Sequence, residues 1–252
     1  MILAVDAGNT NIVLGVFEGD KLLYSARIAT DVHRTADEFG FFFKQVLAEA
    51  GGEGTLKGGV IASVVPGCNY ALSHSFRKYF DLEPIIVSGE LNLGVKYKID
   101  NPYELGADLI ANAVGAVSLY KGEDVIVVDF GTATTFSVIT KEKEVLGGAI
   151  CCGMRTALGA LSGNTAKLPW ITIGEPSRVI GSNTIECMLS GAVYGYTGLV
   201  DGMIERMAIE LGRKPKVVAT GGLSRTIAPY SKSIDIVHGD LTLIGLREIF
   251  TR

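Results

Sequence analysis

Residues 2–26 read ILAVDAGNTNIVLGVFEGDKLLYSA, and residues 125–149 read VIVVDFGTATTFSVITKEKEVLGGA. In each stretch an apolar strand ends in aspartate, a turn of the form Asp-x-Gly-polar follows, and two more strands are joined by a charged turn. Asp6 and Asp129 lie 123 positions apart, as do Gly8 and Gly131. A shared register over this length predicts two duplicated α/β domains rather than a solenoid.

The pattern continues similarly in both halves, which predicts the order βββαβαβ for each. The first half adds a helix with a capping box at Thr35–Glu38, a strand at 60–65, a helix to about Phe80 and a strand at 84–87. The second adds a strand at 216–219, a helix from about Leu223, a strand at 234–237 and a closing helix at 241–250. We therefore predict domains at 1–115 and 116–252, with a largely helical insertion at about 154–212.

Two further helices are predicted, one between the halves and one within the insertion. A helix over 101–120 is predicted from Asn101 as N-cap, Pro102 in the first turn and Glu104 at the third position. A helix over 186–211 has apolar residues at spacings of three and four. Its apolar face either lies in the internal core or packs partly against another subunit.

Composition excludes several classes of protein. A chain of 252 residues with a net charge of −4 and no Lys/Arg run longer than two argues against nucleic acid as the main partner. No apolar run approaches the roughly 20 residues that a membrane span needs, and no signal peptide is visible, so we expect a cytoplasmic protein. Its four cysteines show no metal-binding spacing. Walker and Rossmann glycine motifs are absent.

The duplicated turns indicate phosphate handling. Gly8 and Gly131 allow the backbone to approach a ligand closely, and the polar residues after them can cradle phosphate oxygens. Asp6 and Asp129 end their strands, where a carboxylate can hold a cation or its waters. A third glycine turn at 219–223 suits an adenosine pocket, although an ordinary strand-to-helix turn has the same sequence.

The chain resembles the acetate kinase, sugar kinase and actin superfamily, and most closely the type III pantothenate kinases. The resemblance runs from end to end and is carried by segments whose order and spacing match. These segments are DAGNTN (6–11), ASVVP (62–66), NPYELGADLIANAVGA (101–116), VVDFGTATTF (127–136), LGGAI (146–150), IGSNT (180–184), SGAVYGYTGLVDG (190–202), ATGGLS (219–224) and DLTLIGL (240–246).

That resemblance implies actin-like, ribonuclease H-like domains with a nucleotide cleft between them, ATP-dependent phosphorylation of pantothenate, and a homodimer. It implies that the first turn binds ATP phosphates, with Asp6 oriented toward Mg²⁺, and that Asp129 holds a monovalent cation, K⁺ or NH₄⁺. Asp108 is the implied general base for the pantothenate hydroxyl. The implied nucleotide contacts are Asp6, Ala7, Gly8, Asn9, Thr10, Asn11, Ile12, Val13, Thr132, Gly221 and Gly222. The implied acceptor contacts are Ile99, Gly106, Ala107, Asp108, Leu109 and Thr184.

The chain departs from the family pattern mainly at the acceptor contacts. Leu109 replaces the arginine of the family's Gly-Ala-Asp-Arg, and Ile99 stands where the family usually has tyrosine, with Tyr97 two positions earlier. Cys151-Cys152 replaces Ala-Pro, and Ser137 replaces an aspartate. Two alternatives therefore stand beside pantothenate kinase: a kinase for another small hydroxylated acceptor, and a non-catalytic nucleotide-binding regulator. Retention of Asp108 favours an enzyme.

Overall fold

The computed structural model describes residues 1–52 and 56–252 and divides them into two compact units. Unit 1 comprises Met1–Leu119 together with Leu241–Arg252, and unit 2 comprises Tyr120–Asp240. The division falls close to the boundary predicted at 115/116. It differs in one respect, because the closing helix belongs to the first unit although it follows the second in sequence.

Unit 1 is built on a five-stranded sheet with the order β3-β2-β1-β4-β5. Its strands are β1 (Ile2–Ala7), β2 (Asn11–Glu18), β3 (Lys21–Ala29), β4 (Gly58–Ser63) and β5 (Ile85–Ile86). The first three form the predicted antiparallel meander, while β4 runs parallel to β1 and β5 parallel to β4. The carboxyl ends of β1 and β4 therefore meet at one edge of the sheet.

Helices α1 (Ala36–Glu49) and α2 (Pro66–Phe80) cover this sheet. The predicted capping box is present, because the Thr35 side chain accepts from the Glu38 N–H while the Glu38 carboxylate accepts from the Thr35 N–H. Behind this cap, Phe43 and Phe76 are fully buried with ring centroids 5.2 Å apart. Burial of each ring stabilises the unit by roughly 1.5–3 kcal/mol.

The segment before α3 corrects the prediction of one helix over 101–120. Asn101 does act as a cap, since its Oδ1 accepts from the Tyr103 N–H at 3.2 Å, but it caps a single 3-10 turn at Pro102–Glu104. Leu105 then takes an extended conformation (ψ 126°), which ends the turn. The helix proper, α3, begins after this break and spans Ala107–Leu119. A short strand, β6 (Lys96–Tyr97), precedes the turn.

The closing helix α8 (Leu241–Phe250) joins unit 1 because glycines let it approach α3. A Cβ at Gly245 would lie 1.8 Å from the carbonyl oxygen of Ala111, and a Cβ at Gly115 would lie 2.7 Å from that of Leu241. The Thr242 hydroxyl and the Asn112 side-chain oxygen are 2.7 Å apart across the same contact. Only helices without side chains at these positions pack at such a distance.

Unit 2 repeats the topology of unit 1. Its strands are β7 (Val125–Phe130), β8 (Ala133–Ile139), β9 (Glu144–Cys152), β10 (Lys216–Thr220) and β11 (Ile236–Val237). They follow the order β11-β10-β7-β8-β9, with the meander antiparallel and the last two strands parallel. Asp129 pairs with Thr220 of a parallel strand, as Asp6 pairs with Ala62. The predicted duplication is confirmed down to this register.

The insertion of unit 2 contains α4 (Met154–Gly163), α5 (Thr184–Ser190) and α6 (Tyr196–Leu211), with no helix or strand assigned at 164–183. A π-helical turn at Gly191–Gly195 (the π-turn) joins α5 to α6, so the helix predicted over 186–211 is present as one continuous helical run with a widened turn inside it. Met188 and Val193 lie in the core of unit 2, which favours the internal-core interpretation for this face. A short helix, α7 (Ser224–Ile227), follows β10. Among the described residues, no helix is both long and apolar enough to cross a membrane.

Candidate functional site

The first candidate turn lies between β1 and β2, at the sheet edge where β1 and β4 end. The Gly8 N–H donates to the Asn11 carbonyl at 3.0 Å, which closes the turn. Thr30 braces it from outside, because its hydroxyl donates to the Gly8 carbonyl at 2.6 Å and its N–H donates to the Thr10 carbonyl at 3.0 Å. The turn is therefore fixed before any ligand arrives.

The side chains of the predicted nucleotide-binding segment, residues 6–13, differ in their exposure to a ligand. Asn9 and Thr10 are exposed at the tip, and Asp6 is partly exposed at the end of β1. Ala7 and Ile12 are fully buried in the core of unit 1, so at these positions only backbone groups remain for a ligand. Backbone N–H groups of a tight turn and a nearby carboxylate are a combination that suits phosphate with a cation.

Asp108 lies in the first turn of α3 and is partly buried. Its Oδ1 accepts from the Leu109 N–H at 2.8 Å. Burial raises the pKa of the carboxyl above the ordinary aspartate value, and the hydrogen bonds from the Leu109 and Asp108 backbone N–H groups oppose this shift without cancelling it. A carboxylate with a raised pKa is a better proton acceptor than an exposed one.

Gly106 leaves room for this carboxylate. A Cβ at Gly106 would lie 2.5 Å from Asp108 Oδ1 and 3.6 Å from Val64 Cγ1. The Val64 N–H in turn donates to the Ala7 carbonyl at 3.0 Å, at the end of β1. A continuous set of contacts within unit 1 therefore connects the base candidate with the phosphate-turn candidate.

The second candidate turn lies between β7 and β8 in unit 2. The Gly131 N–H donates to the Ala133 carbonyl at 3.1 Å. The carbonyl of Thr132 accepts twice, from the Gly153 N–H at 3.1 Å and from the Thr156 hydroxyl at 2.9 Å. Sequence reasoning missed Gly153 and Thr156 as supports of this turn, because they come from a strand end and a helix distant in the sequence.

The third glycine turn packs directly on the second. Gly221 has a φ of +84°, and a Cβ there would lie 2.4 Å from Asp129 Oδ1 and 2.6 Å from the Phe130 nitrogen. Both the positive φ and these close contacts require glycine at this position. The next residue, Gly222, is exposed. Ser224 holds the turn through a hydrogen bond from its hydroxyl to the Gly221 carbonyl at 2.7 Å.

Thr220 adds an oxygen that the sequence did not single out. It pairs in parallel register with Asp129, so the two side chains project on the same side of the sheet. Its hydroxyl oxygen is buried and has no hydrogen-bond partner among the described residues. Such an orphaned hydroxyl beside a carboxylate fits a hard cation, which takes oxygen ligands.

The acceptor candidates fall into two groups. Ala107 and Leu109 flank Asp108 in α3, and Ile99 is partly buried just after β6. Tyr97 on β6 has a hydroxyl that is buried without a hydrogen-bond partner among the described residues, and burial raises its pKa. Thr184, by contrast, is in unit 2, where it starts α5 and lines a cavity of about 620 Å³.

Two comparisons with known proteins point to the same family. Residues 2–206 match a family model described as type III pantothenate kinase. A curated type III pantothenate kinase from Bacillus cytotoxicus is 46% identical over 253 residues, covering 100% of this chain and 96% of that protein.

Two solved structures share the fold. One is described as a Baf family transcriptional activator from Campylobacter jejuni (TM-score 0.63, 18% identity, 99% of this chain and 97% of that chain). The other is an inorganic polyphosphate/ATP-glucomannokinase from Arthrobacter sp. strain KM (TM-score 0.52, 14% identity, 99% and 98%). At these identities they show a shared fold and nothing about the reaction.

Proposed function

This chain belongs to the type III pantothenate kinase family, and we propose that it transfers the γ-phosphoryl group of ATP to the hydroxyl of pantothenate. The product is 4'-phosphopantothenate, and the reaction is the first step of coenzyme A biosynthesis. The observation that carries this proposal is the 46% identity to a curated kinase over the whole chain. The carboxylate at Asp108 supports it chemically.

Asp108 is the proposed general base. Its carboxylate accepts the proton of the pantothenate hydroxyl while the hydroxyl oxygen attacks the γ-phosphorus in line, and the bond between that phosphorus and ADP breaks. The raised pKa supports this role, because it brings proton affinity closer to what a hydroxyl proton requires. Gly106 supports it by leaving room for the carboxylate.

Asp6 and the β1–β2 turn are proposed to receive the ATP phosphates with Mg²⁺, which offsets phosphate charge when bound. The described residues hold no group of three or more His, Cys, Asp or Glu that could bind a metal alone. Mg²⁺ at phosphate sites is bound through one or two carboxylates together with nucleotide phosphates, and this is the arrangement that we propose for Asp6.

Asp129 is proposed to hold K⁺ or NH₄⁺ beside the second turn, and the orphaned Thr220 hydroxyl oxygen supports an oxygen-rich cation site there. Thr132 is proposed to contact ATP, and Gly221 and Gly222 to adjoin the adenosine. The close packing of Gly221 on Asp129 supports treating the two turns as one nucleotide-binding region of unit 2.

Tyr97 is the proposed replacement for the family tyrosine that is absent at Ile99. Its buried hydroxyl lacks a partner among the described residues, and a polar acceptor molecule would supply one. Gly106, Ala107, Leu109 and Thr184 complete the proposed acceptor contacts. Leu109 offers neither the charge nor the hydrogen bonds of the family's arginine.

A coupled ADP-release assay on the purified protein tests the reaction. ADP should appear only when pantothenate is added, and faster in K⁺ or NH₄⁺ than in Na⁺. Asp6→Asn should cripple turnover while leaving the protein folded, whereas Asp81→Asn, an equal change at an exposed helix end, should leave turnover unchanged. No ADP with pantothenate would reject the proposed acceptor, and full activity of Asp6→Asn would reject the assignment of the first turn.

Leu109 is the observation that favours a second candidate, a kinase for another small hydroxylated acceptor. An apolar side chain beside the base suits an acceptor without a carboxylate at that point. The same assay separates the two, because a set of hydroxylated acids and alcohols can replace pantothenate. A non-catalytic regulator would release no ADP with any acceptor, and the retained Asp108 argues against it.

We further propose a cytoplasmic homodimer. The residues leading into α5 in unit 2 present large apolar side chains to solvent, including Trp170 at 76% exposure and Ile180 at 84%. We propose that these exposed apolar side chains contribute to the subunit interface. Light scattering at micromolar concentration should give twice the mass of the chain, and Trp170→Glu should reduce it to one chain. A wild-type monomer would contradict the proposal.

A further inference from the structure

The hydroxyl of Tyr196 lies buried between two strands of unit 2. Its Oη is 2.8 Å from the Cys152 carbonyl oxygen and 2.5 Å from the Thr134 hydroxyl oxygen. A carbonyl can only accept, so the tyrosine donates its one proton to Cys152, and the Thr134 hydroxyl donates to the tyrosine. The Tyr196 side chain, which is 9% exposed, thus forms hydrogen bonds with both the Cys152 carbonyl and the Thr134 hydroxyl.

Both partners of this hydroxyl flank the second phosphate-turn candidate. Cys152 immediately precedes Gly153, whose N–H donates to the Thr132 carbonyl at 3.1 Å. Thr134 follows Thr132 by two residues and pairs with Cys151 across β8 and β9. Tyr196 therefore ties together the two chain segments that hold the backbone of Thr132.

The π-turn at Gly191–Gly195 ends directly before this tyrosine. One additional residue in a helix rotates every later side chain by about 100° relative to an uninterrupted helix. Wide turns of this type occur often at functional sites. The direction in which Tyr196 points thus depends on the π-turn, where the regular hydrogen bonding of an α-helix is interrupted.

We propose that Tyr196 is a positioning residue that holds the Thr132 turn in the geometry that receives ATP. The proposal rests on the assignment of Thr132 to the nucleotide made above. In this proposal the Tyr196 hydroxyl acts through Cys152 and Thr134 rather than through the nucleotide. It fixes Cys152 and Thr134, and through them the orientation of the Thr132 backbone.

Tyr196→Phe removes the hydroxyl and keeps the ring, so it tests the proposal with little loss of packing. We expect a KM for ATP about three- to tenfold higher, the effect of one buried hydrogen-bond system, with the KM for pantothenate within about twofold of wild type. The affinity for a fluorescent ATP analogue, measured without pantothenate, should fall by the same factor. Tyr194→Phe is the matched control, because that ring packs edge-on against Tyr230 instead, and it should leave both KM values unchanged.

Thr134 provides a second, independent pair of variants. Thr134→Val should raise the KM for ATP as Tyr196→Phe does. Thr134→Ser keeps the hydroxyl and should have the wild-type KM for ATP. The effects of Tyr196→Phe and Thr134→Val should be less than additive, because they break the same network. If Tyr196→Phe fails to fold, the Thr134 pair decides the question.

Two results would overturn the proposal. One is an ATP affinity of Tyr196→Phe equal to that of wild type. The other is a parallel loss in both KM values and kcat that follows the fall in melting temperature, since that indicates a merely structural role. If wild type releases no ADP with pantothenate, the proposed acceptor is wrong, and the binding of the ATP analogue still decides the role of Tyr196.

Discussion

Gly106→Ala should separate the position of the catalytic carboxylate from the stability of the fold. Gly106 is not among the glycines with positive φ, so alanine is compatible with its backbone conformation. The added Cβ would lie 2.5 Å from Asp108 Oδ1, and its next neighbour is Val64 Cγ1 at 3.6 Å, an ordinary contact. Only the end of the Asp108 side chain has to move.

The size of the effect follows from that distance. Ordinary contact begins at 3.4 Å. Oδ1 must therefore retreat by about 0.9 Å, and a misplacement of about 1 Å at a reacting group costs on the order of a hundredfold in rate. A hundredfold corresponds to about 2.7 kcal/mol of activation free energy. The free energy of unfolding should change by less than about 1 kcal/mol, because the clash is relieved by one side-chain rotation.

The coupled ADP-release assay at saturating ATP and pantothenate measures kcat, and thermal unfolding measures stability. Gly163→Ala is the control, since a Cβ there meets nothing within 4 Å, and its kcat should equal that of wild type. In an Asp108→Asn background, Gly106→Ala should have almost no further effect on kcat. A Gly106→Ala enzyme with kcat within about twofold of wild type would refute the role given to the Asp108 carboxylate.

Four other outcomes are expected. Because burial raises the pKa of Asp108, kcat/KM for pantothenate should fall on acidification at a pH above the ordinary aspartate value; an acid limb at that ordinary value would contradict the base assignment. The same raised pKa means that the folded protein binds the proton more tightly than the unfolded chain, so stability falls as pH rises through the folded pKa, and Asp108→Asn should raise the melting temperature at pH 7 but not at pH 4. Asp129→Ala should abolish any preference for K⁺ over Na⁺ in the rate; equal wild-type rates in both salts would remove the cation from the site. Leu109→Arg should lower the KM for pantothenate roughly ten- to a hundredfold, the worth of a charged hydrogen bond of ~1.5–3 kcal/mol, and leave the KM for ATP unchanged; tight binding by wild type without such a gain would show that another residue already replaces the arginine.

Local chemistry explains why much of the fold was predictable. The first two strands of each meander are short apolar runs that are mostly buried, and the turns that bound them are set by neighbouring glycines and polar residues. The capping box at Thr35 and the final helix at Leu241–Phe250 were also predicted at their observed positions. The break at Leu105 was not predicted. Asn101, Pro102 and Glu104 can begin a 3-10 turn as well as an α-helix, so their pattern does not distinguish the two.

By itself the sequence determined the duplication, the aspartate at each strand end and the resemblance to a kinase family, since each is a matter of residue order and spacing. Tertiary structure alone decided that α8 packs on α3, that Gly106 makes room for the Asp108 carboxylate, and that Gly221 packs on Asp129. It also placed the Tyr196 hydroxyl beside the second turn, 62 residues from its partner Thr134. Contacts of this kind depend on the close approach of distant backbones, and no local pattern of residues specifies which glycine faces which neighbour.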